Sequence, residues 1–494
     1  MSKSPQKKID TALDEFKAQF DPMHDVGEVN AVYDRDLPKG TKKFIITAAQ
    51  NATPVDERWW AVLQNMARCK KAQLMVIPLR YKNPTSQWTG SQRNEEHWAS
   101  QVRPYLWNKR HALNQNLMVL GDIKIQPTMS SPLNGSDALS LASSGIIGHT
   151  KLHMKTVATP SNRMAKILTT TGACTVPNYT DSRAGRIGEF HHSLSAIIVE
   201  LDGSKFHMTQ LHFDKTTGTC TDRGTRYGTH GSEVAPPALA LVMGDTHVRF
   251  IDESVHWATW GDKGMIEVLR PQHLIWHDVH DGYACNPHHA GNPFNAIAKM
   301  DSGYDNVKGE VDEAIAFLKD HTPPGCQSIV VASNHDDFLR RWILTNDWKK
   351  DPENADFYLD TALSMVRQTR LGKGGTEYPS PFLLWLERAN LNNVQALHGD
   401  ESFILGGVEL GMHGDRGPNG ARGSIKNLRR VGVRSFIGHG HAPGIDEGCY
   451  QVGTSTVLRL EYNHGASGWL NCHGVLNADG KRQLIIIIDG KWRA

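Results

Sequence analysis

The sequence predicts an α/β protein made of an N-terminal α/β domain and a second α/β domain in the C-terminal half. Two observations support this prediction. Apolar runs of strand length alternate with a segment of helical periodicity, and five apolar runs in the C-terminal half are each followed at once by Asp, His or Asn. Polar side chains at the ends of buried strands are typical of α/β active sites, because the loops that leave those ends face a common crevice.

The composition excludes several classes of protein. With 39% hydrophobic and 21% charged residues in 494, the chain is neither disordered nor fibrous, and a net charge of +2 does not by itself indicate a polyanionic partner. Its 7 cysteines are scattered without a C-x-x-C pair, which argues against a disulfide scaffold and a thiolate zinc site. We see no secretory signal and no apolar run of membrane-spanning length, so we expect a cytoplasmic protein with no membrane partner. The 25 histidines are the unusual feature, since imidazole is a common metal ligand.

Changes in amino-acid composition and apolar patterning along the chain predict the domain boundaries. The predicted segments are a partly ordered leader (1–40), an N-terminal α/β domain of unassigned role (41–225) and a second domain (238–494) with a helical insert at about 338–395. The segment 221–238 is rich in Gly, Thr and Pro, and we predict that it is a linker.

The N-terminal domain begins with a strand–helix–strand pattern. Strand-like runs at 43–49 and 73–78 flank a segment with apolar residues at helical spacing, and Asp202-Gly203 predicts a hairpin between two β-rich runs. No repeat of fixed period is visible. We interpret the faint similarity of 148–153 (GHTKLH) to later polar clusters as chance.

The polar clusters of the C-terminal half combine metal-binding residue types. In order they are GDTH (244–247), HDVHD (277–281), SNHDD (333–337), MHGD (412–415) and HGHAPG (439–444). Asp245 and His247 are two residues apart, as are His439 and His441, so each pair points the same way in an extended segment. Such pairs can chelate one ion or lie across two.

Together these clusters resemble the signature of calcineurin-like metallophosphoesterases: D-x-H, GD-x-x-D, GNH-D/E, a single His and GH-x-H. The resemblance covers about 240–494 and implies that family's αββα sandwich for the C-terminal half. It also implies a two-metal site. In that site Asp245, His247 and His441 would hold the first ion, Asn334, His413 and His439 the second, and Asp278 would bridge both.

The implied chemistry is hydrolysis of a phosphate ester. Imidazole, carboxylate and amide ligands without thiolate favour two Mn²⁺ ions, with Fe or Zn as alternatives. A hydroxide shared by the ions would attack phosphorus. By resemblance His335 would act as general acid or transition-state stabiliser, oriented by Asp281. His277 replaces the family's usual glycine and is either a phosphate contact or a structural residue.

The residues that follow the second and fourth clusters predict the class of substrate. Phosphatases of the superfamily usually carry Arg after the second aspartate of D-x-x-D, where this chain has Gly282 and Tyr283. The basic stretch after the fourth cluster supplies four candidate phosphate contacts, or else a solvated helix face: Arg416, Arg422, Arg429 and Arg430.

The motif order, the insert and the C-terminal tail resemble phage-encoded members of the superfamily. This resemblance implies an early nuclease that degrades host DNA in the host cytoplasm. The leading hypothesis is therefore a two-metal DNA phosphodiesterase. The alternatives are a phosphatase or a small-molecule or cyclic-nucleotide phosphodiesterase at the same site, and a protein whose N-terminal part is the functional binding or assembly module. Homo-oligomer formation stays open.

Overall fold

The computed structural model describes residues 37–86, 97–160, 162–371, 380–399, 401–460 and 463–493. The predicted leader therefore lies almost wholly outside the described residues. Within them the chain is mixed α/β, with three β-sheets of seven, six and ten strands.

Twelve strands belong to the N-terminal half: β1 (Lys43–Gln50), β2 (Gln73–Leu79), β3 (Arg110–Asn114), β4 (Leu117–Leu120), β5 (Ser144–Ile147), β6 (His153–Val157), β7 (Lys166–Thr170), β8 (Ser195–Asp202), β9 (Lys205–Asp214), β10 (Thr219–Asp222), β11 (Thr225–Tyr227) and β12 (Ser232–Val234). Eleven follow: β13 (Ala240–Val242), β14 (His273–Trp276), β15 (Gln327–Val331), β16 (Val394–Leu397), β17 (Ile404–Leu405), β18 (Val408–Glu409), β19 (Arg434–Ile437), β20 (Gly444–Asp446), β21 (Cys449–Gln451), β22 (Cys472–Leu476) and β23 (Arg482–Ile486).

The α-helices of the described residues are α1 (Glu57–Lys70), α2 (Arg183–Phe190), α3 (Glu253–Trp260), α4 (Met265–Leu269), α5 (Pro293–Ser302), α6 (Val307–His321), α7 (Asp336–Thr345), α8 (Ala355–Arg370), α9 (Pro381–Ala389) and α10 (Ile425–Leu428). The predicted helical insert corresponds to α7, α8 and α9, and the hairpin at Asp202-Gly203 joins β8 to β9. The predicted linker 221–238 is wrong, because β11 and β12 lie within it and extend the seven-stranded sheet. No helix of the described chain is both long and apolar enough to cross a membrane.

The sheets stack face to face, with helices outside. Phe44 and Ile46 of β1 join a core that also contains Phe436 of the ten-stranded sheet, whereas Ile45 points to the other face, toward α1. This alternation follows from the two-residue period of a strand. The six-stranded sheet likewise packs its outer face against α3 and α6 to α9. The inner core contains strands from both halves of the chain, so the halves fold against each other.

The two halves repeat one arrangement of strands. The strand β1 pairs in parallel with β2 and antiparallel with β8, which continues to β9, and β13 pairs in the same ways with β14, β22 and β23. The sets β3–β7 and β17–β21 also share strand order and direction. Our interpretation of 148–153 as a chance similarity is therefore wrong, since these residues follow β5 just as 438–443 follow β19.

The repeats meet across a local two-fold axis. In the centre of the ten-stranded sheet β6 runs antiparallel to β20, with Met154 opposite Ile445. These two residues occupy equivalent places, because Met154 pairs with β7 as Ile445 pairs with β21. A second link joins β9 to β23, where the Leu484 amide donates to Gln210 Oε1 at 2.8 Å.

Candidate metal centre

The five predicted loops meet at one edge of the C-terminal half. The strands β13, β14 and β15 are parallel neighbours, so the loops that carry Asp245, Asp278 and Asn334 leave the same edge of the six-stranded sheet. The loops after β18 and β19 reach this edge from the facing sheet. The Gly438 amide donates to His413 O at 2.7 Å, and the His439 amide donates to Asp245 Oδ1 at 3.0 Å.

One group of ligand atoms surrounds His441. Its Nε2 lies 3.1 Å from Asp245 Oδ2 and 3.2 Å from His247 Nε2. His247 Nε2 lies 3.7 Å from Asp278 Oδ2. All four side chains are buried. These are the three residues expected at the first ion, together with the expected bridge.

A second group surrounds Asn334. Its Oδ1 lies 3.1 Å from His413 Nε2 and 2.9 Å from His439 Nδ1. His413 Nε2 is in turn 3.2 Å from Asp278 Oδ2. Asp278 therefore takes part in both groups, as expected of a bridging ligand.

The spacing of these atoms fits bound cations. Two metal–ligand bonds of about 2.1 Å, about 90–110° apart, separate their donor atoms by roughly 3.0–3.4 Å. Asp278 Oδ1 is buried and has no hydrogen-bond partner among the described residues. Buried carboxylate oxygens normally have partners, so this oxygen is available to a cation.

Four of the seven candidate ligands also have a strained backbone. His247, Asp278, His439 and His441 have φ of 42°, 45°, 67° and 51°. Positive φ is uncommon for residues other than glycine, costs on the order of 1–3 kcal/mol and is often found at functional sites. The close packing also requires Gly438, where a Cβ would lie 2.3 Å from Asp245 Oδ1.

The site accumulates charge in a buried space. His247 and His413 are buried, which opposes their protonation. Contact with Asp281 nevertheless raises the pKa of His247 to about 9, and contact with Asp278 raises the pKa of His413 to about 9. Despite burial, His413 and His335 hold the pKa of Asp278 well below its usual range. The carboxylates thus favour the protonated form of both imidazole rings.

Asp281 and His335 lie beside the first group but interact differently from the expectation. The Asp281 carboxylate is 2.7 Å from His247 Nδ1 and 3.7 Å from His335 Nδ1. His335 Nδ1 instead donates to the Asp281 backbone carbonyl at 2.6 Å. His247, Asp281 and His335 are close enough to hold an ion themselves, but Nδ1 of each ring already faces Asp281. Asp281 thus orients His335 through its main chain and His247 through its side chain.

The histidines near the bridging aspartate are buried. His277 Nδ1 lies 3.4 Å from His413 Nδ1, and burial lowers the pKa of His277 to about 4. His280 stacks on Phe382, with ring centroids 5.1 Å apart. The buried position of His277 against His413 favours its structural interpretation over a phosphate contact.

A cavity of about 1020 Å³ opens onto the site, and Asn334, His335, His439 and His441 line it. Of the predicted phosphate contacts Arg422 lines the cavity, and Lys426 of the same basic stretch lines it as well.

The other predicted phosphate contacts lie outside the lining. Arg429 binds both carboxylate oxygens of Asp446 at 2.8 and 2.9 Å, and Arg416 lies 3.7 Å from Asp415. Arg430 is exposed and is not among the lining residues. Trp469 also lines the cavity, and we did not single it out from its sequence, GASGWLN.

The N-terminal repeat lacks this centre. The Ala48 amide donates to Gly172 O as the Asp245 amide donates to Gly453 O, so alanine stands where the C-terminal half has a carboxylate. His149 and Lys151 follow β5 as His439 and His441 follow β19, and neither adopts positive φ. The Lys151 amine is 3.0 Å from Glu447. Both the ligands and the strained backbone are therefore absent from this described part of the repeat.

Comparison with known proteins gives one informative relative. No family model matches the chain. The structure of Vps29 from Chaetomium thermophilum, solved with a cyclic peptide, aligns with 36% of this chain and with 92% of the Vps29 chain, at 11% sequence identity. The TM-score of 0.22 is too low to support any argument. Protein A1 of Escherichia phage T5 is 30% identical over an alignment of 481 residues that covers 95% of this chain and 86% of A1.

That similarity supports a phage origin, and its coverage of 95% of the chain extends through both repeats. The chain belongs to the family of phage T5 protein A1.

Proposed function

We propose that this protein is a metal-dependent phosphodiesterase that hydrolyses DNA, with a metallophosphoesterase-type centre in residues 238–494. The observation that carries the proposal is the arrangement of seven side chains from five loops. They form two ligand groups that share Asp278.

The ligands of one ion would be Asp245, His247 and His441, those of the other Asn334, His413 and His439, and Asp278 would contact both. This set of imidazole, carboxylate and amide donors favours Mn²⁺ and accepts Fe or Zn. When bound, two such ions would polarise a phosphate ester and lower the pKa of water toward about 7.

His335 is the candidate proton donor to the leaving oxygen. Its Nδ1 is used by the Asp281 carbonyl, which leaves Nε2 as the nitrogen that can act in the cavity. Burial lowers the pKa of His335, so donation requires a nearby negative charge. The phosphate group of a bound substrate supplies that charge.

The surroundings favour a diester over a small monoester. The position at which related phosphatases carry arginine is Gly282 here, followed by Tyr283, whose amide donates to Glu310 at 2.8 Å. The cations Arg422 and Lys426 instead lie in the lining of a wide cavity, where they can contact phosphates that flank the cleaved bond. Together with a phage origin, this arrangement favours host DNA, in the host cytoplasm, as the substrate.

A substrate panel tests this function. Metal-depleted protein is returned to Mn²⁺ and incubated with plasmid, linear duplex, single-stranded DNA, p-nitrophenyl phosphate and bis(p-nitrophenyl) phosphate. We expect cleavage of DNA and of the diester, and its loss in Asp278→Asn. Asp320→Asn, at an exposed position of α6, is the matched control and retains activity. Hydrolysis of the monoester alone would contradict the proposal.

A further inference from the structure

We propose that Trp469 stacks on the nucleobase beside the cleaved phosphate, so that the enzyme acts on unpaired nucleotides. This inference rests on the proposed DNA hydrolysis. It adds a specificity residue and a substrate class: single strands, frayed ends and gaps.

The indole lies directly beside the candidate metal centre. Trp469 lines the same cavity as Asn334, His335 and His441. The ring centroids of Trp469 and His441 are 4.1 Å apart, with an interplanar angle of 68°. A nucleotide whose phosphate reached the ligand groups would therefore have its base within reach of the indole.

The backbone holds this tryptophan in place. The Trp469 amide donates to Ser467 Oγ at 3.1 Å, and the Leu470 amide donates to His441 O at 3.2 Å. Ser467 exchanges two backbone hydrogen bonds of 2.9 and 3.0 Å with Thr159 of the N-terminal half. These bonds fix the segment, and the indole is only partly buried where it lines the cavity. A base that stacks there would meet a ring on an ordered backbone.

Cations lie in the lining of the same cavity. Arg422 and Lys426 are exposed there, and neither has an acidic partner among the described residues. An aromatic face beside unpaired cations is typical of single-strand binding, in which bases stack and phosphates contact Lys or Arg. A base inside a duplex is covered by its neighbours on both faces, so stacking on Trp469 requires an unpaired nucleotide.

The test compares a single-stranded oligonucleotide with an abasic oligonucleotide of the same length, using the full-length protein with Mn²⁺. Stacking of this kind predicts that wild type cleaves the normal strand about 5- to 150-fold more efficiently, as kcat/KM. Trp469→Ala is expected to lose this preference and Trp469→Phe to keep most of it. Trp348→Ala, which changes a tryptophan outside the cavity lining, keeps it fully.

Two results would overturn the inference. One is an equal loss of kcat/KM on both oligonucleotides in Trp469→Ala, which would mean that the indole only supports His441. The other is faster cleavage of a closed duplex than of a single strand by wild type. Failure of the proposed function looks different: wild type would hydrolyse bis(p-nitrophenyl) phosphate and no DNA of any kind.

Discussion

His335→Ala is the substitution that most sharply separates proton donation from metal binding. The ring is fixed by its 2.6 Å hydrogen bond to the Asp281 carbonyl and lines the cavity with its other nitrogen available. It belongs to neither of the two ligand groups that share Asp278. Removing it should therefore leave the bound metal unchanged and remove the proton donor.

The expected loss on DNA is about 10²- to 10⁴-fold in kcat, the usual contribution of a positioned general acid. That range corresponds to roughly 2.7–5.4 kcal/mol of lost transition-state stabilisation. The loss should depend on the leaving group. A p-nitrophenolate ion departs without a proton, so the same variant should lose less than about 10-fold on bis(p-nitrophenyl) phosphate.

The assay is steady-state kinetics on both substrates, with metal content measured on the same samples. An equal loss on the two substrates would refute proton donation and assign His335 to orientation of the site. Near-normal turnover on DNA with normal metal content would remove it from the mechanism altogether.

Three further predictions concern the candidate metal ligands, the carboxylate beside them and the arginines of the basic stretch. Asp281→Asn should weaken metal binding about 10- to 100-fold in a titration of metal-free protein, because its carboxylate orients His247; unchanged affinity would contradict this role. Since His247 and His413 have pKa values raised to about 9, each must release a proton when metal binds, so affinity should increase with pH up to about 9. Calorimetry in buffers of different ionisation enthalpy measures those protons, and a constant affinity from pH 6 to 8 would count against the assignment. Arg422→Ala should lower the salt dependence of DNA binding by about one unit of slope, whereas Arg429→Ala should lower stability and leave the slope unchanged.

The sequence predicted the site loops because their signal is local. Asn334 and Asp278 each follow a short buried strand almost directly, and neighbouring parallel strands bring such positions together without information from elsewhere in the chain. Helix α1 was predicted for the same reason, since its buried residues recur at helical spacing.

Long-range features could not be predicted in this way. The two halves share a pattern of strand pairing but differ in their side chains. For example, the equivalent residues that face each other where the two halves meet in the ten-stranded sheet are Met154 and Ile445. At the equivalents of the candidate metal ligands the side chains differ, with Lys151 in place of His441. Likewise Arg429 looked like a phosphate contact until the fold placed it against Asp446, 17 residues away.

The prediction that 221–238 is a linker was wrong for a different reason. Its strands are short, and the side chains of β12 are exposed, so they lack the apolar alternation that identifies a strand. They are recognisable only as additions to the edge of an existing sheet.

Anomalous diffraction from crystals grown with Mn²⁺ tests the central claim most directly. We predict two peaks about 3.5–4 Å apart, with Asp278 in contact with both. One should lie among Asp245, His247 and His441, the other among Asn334, His413 and His439, and none beside His149 and Lys151. A single peak, no peak, or a peak in the N-terminal repeat would contradict the account.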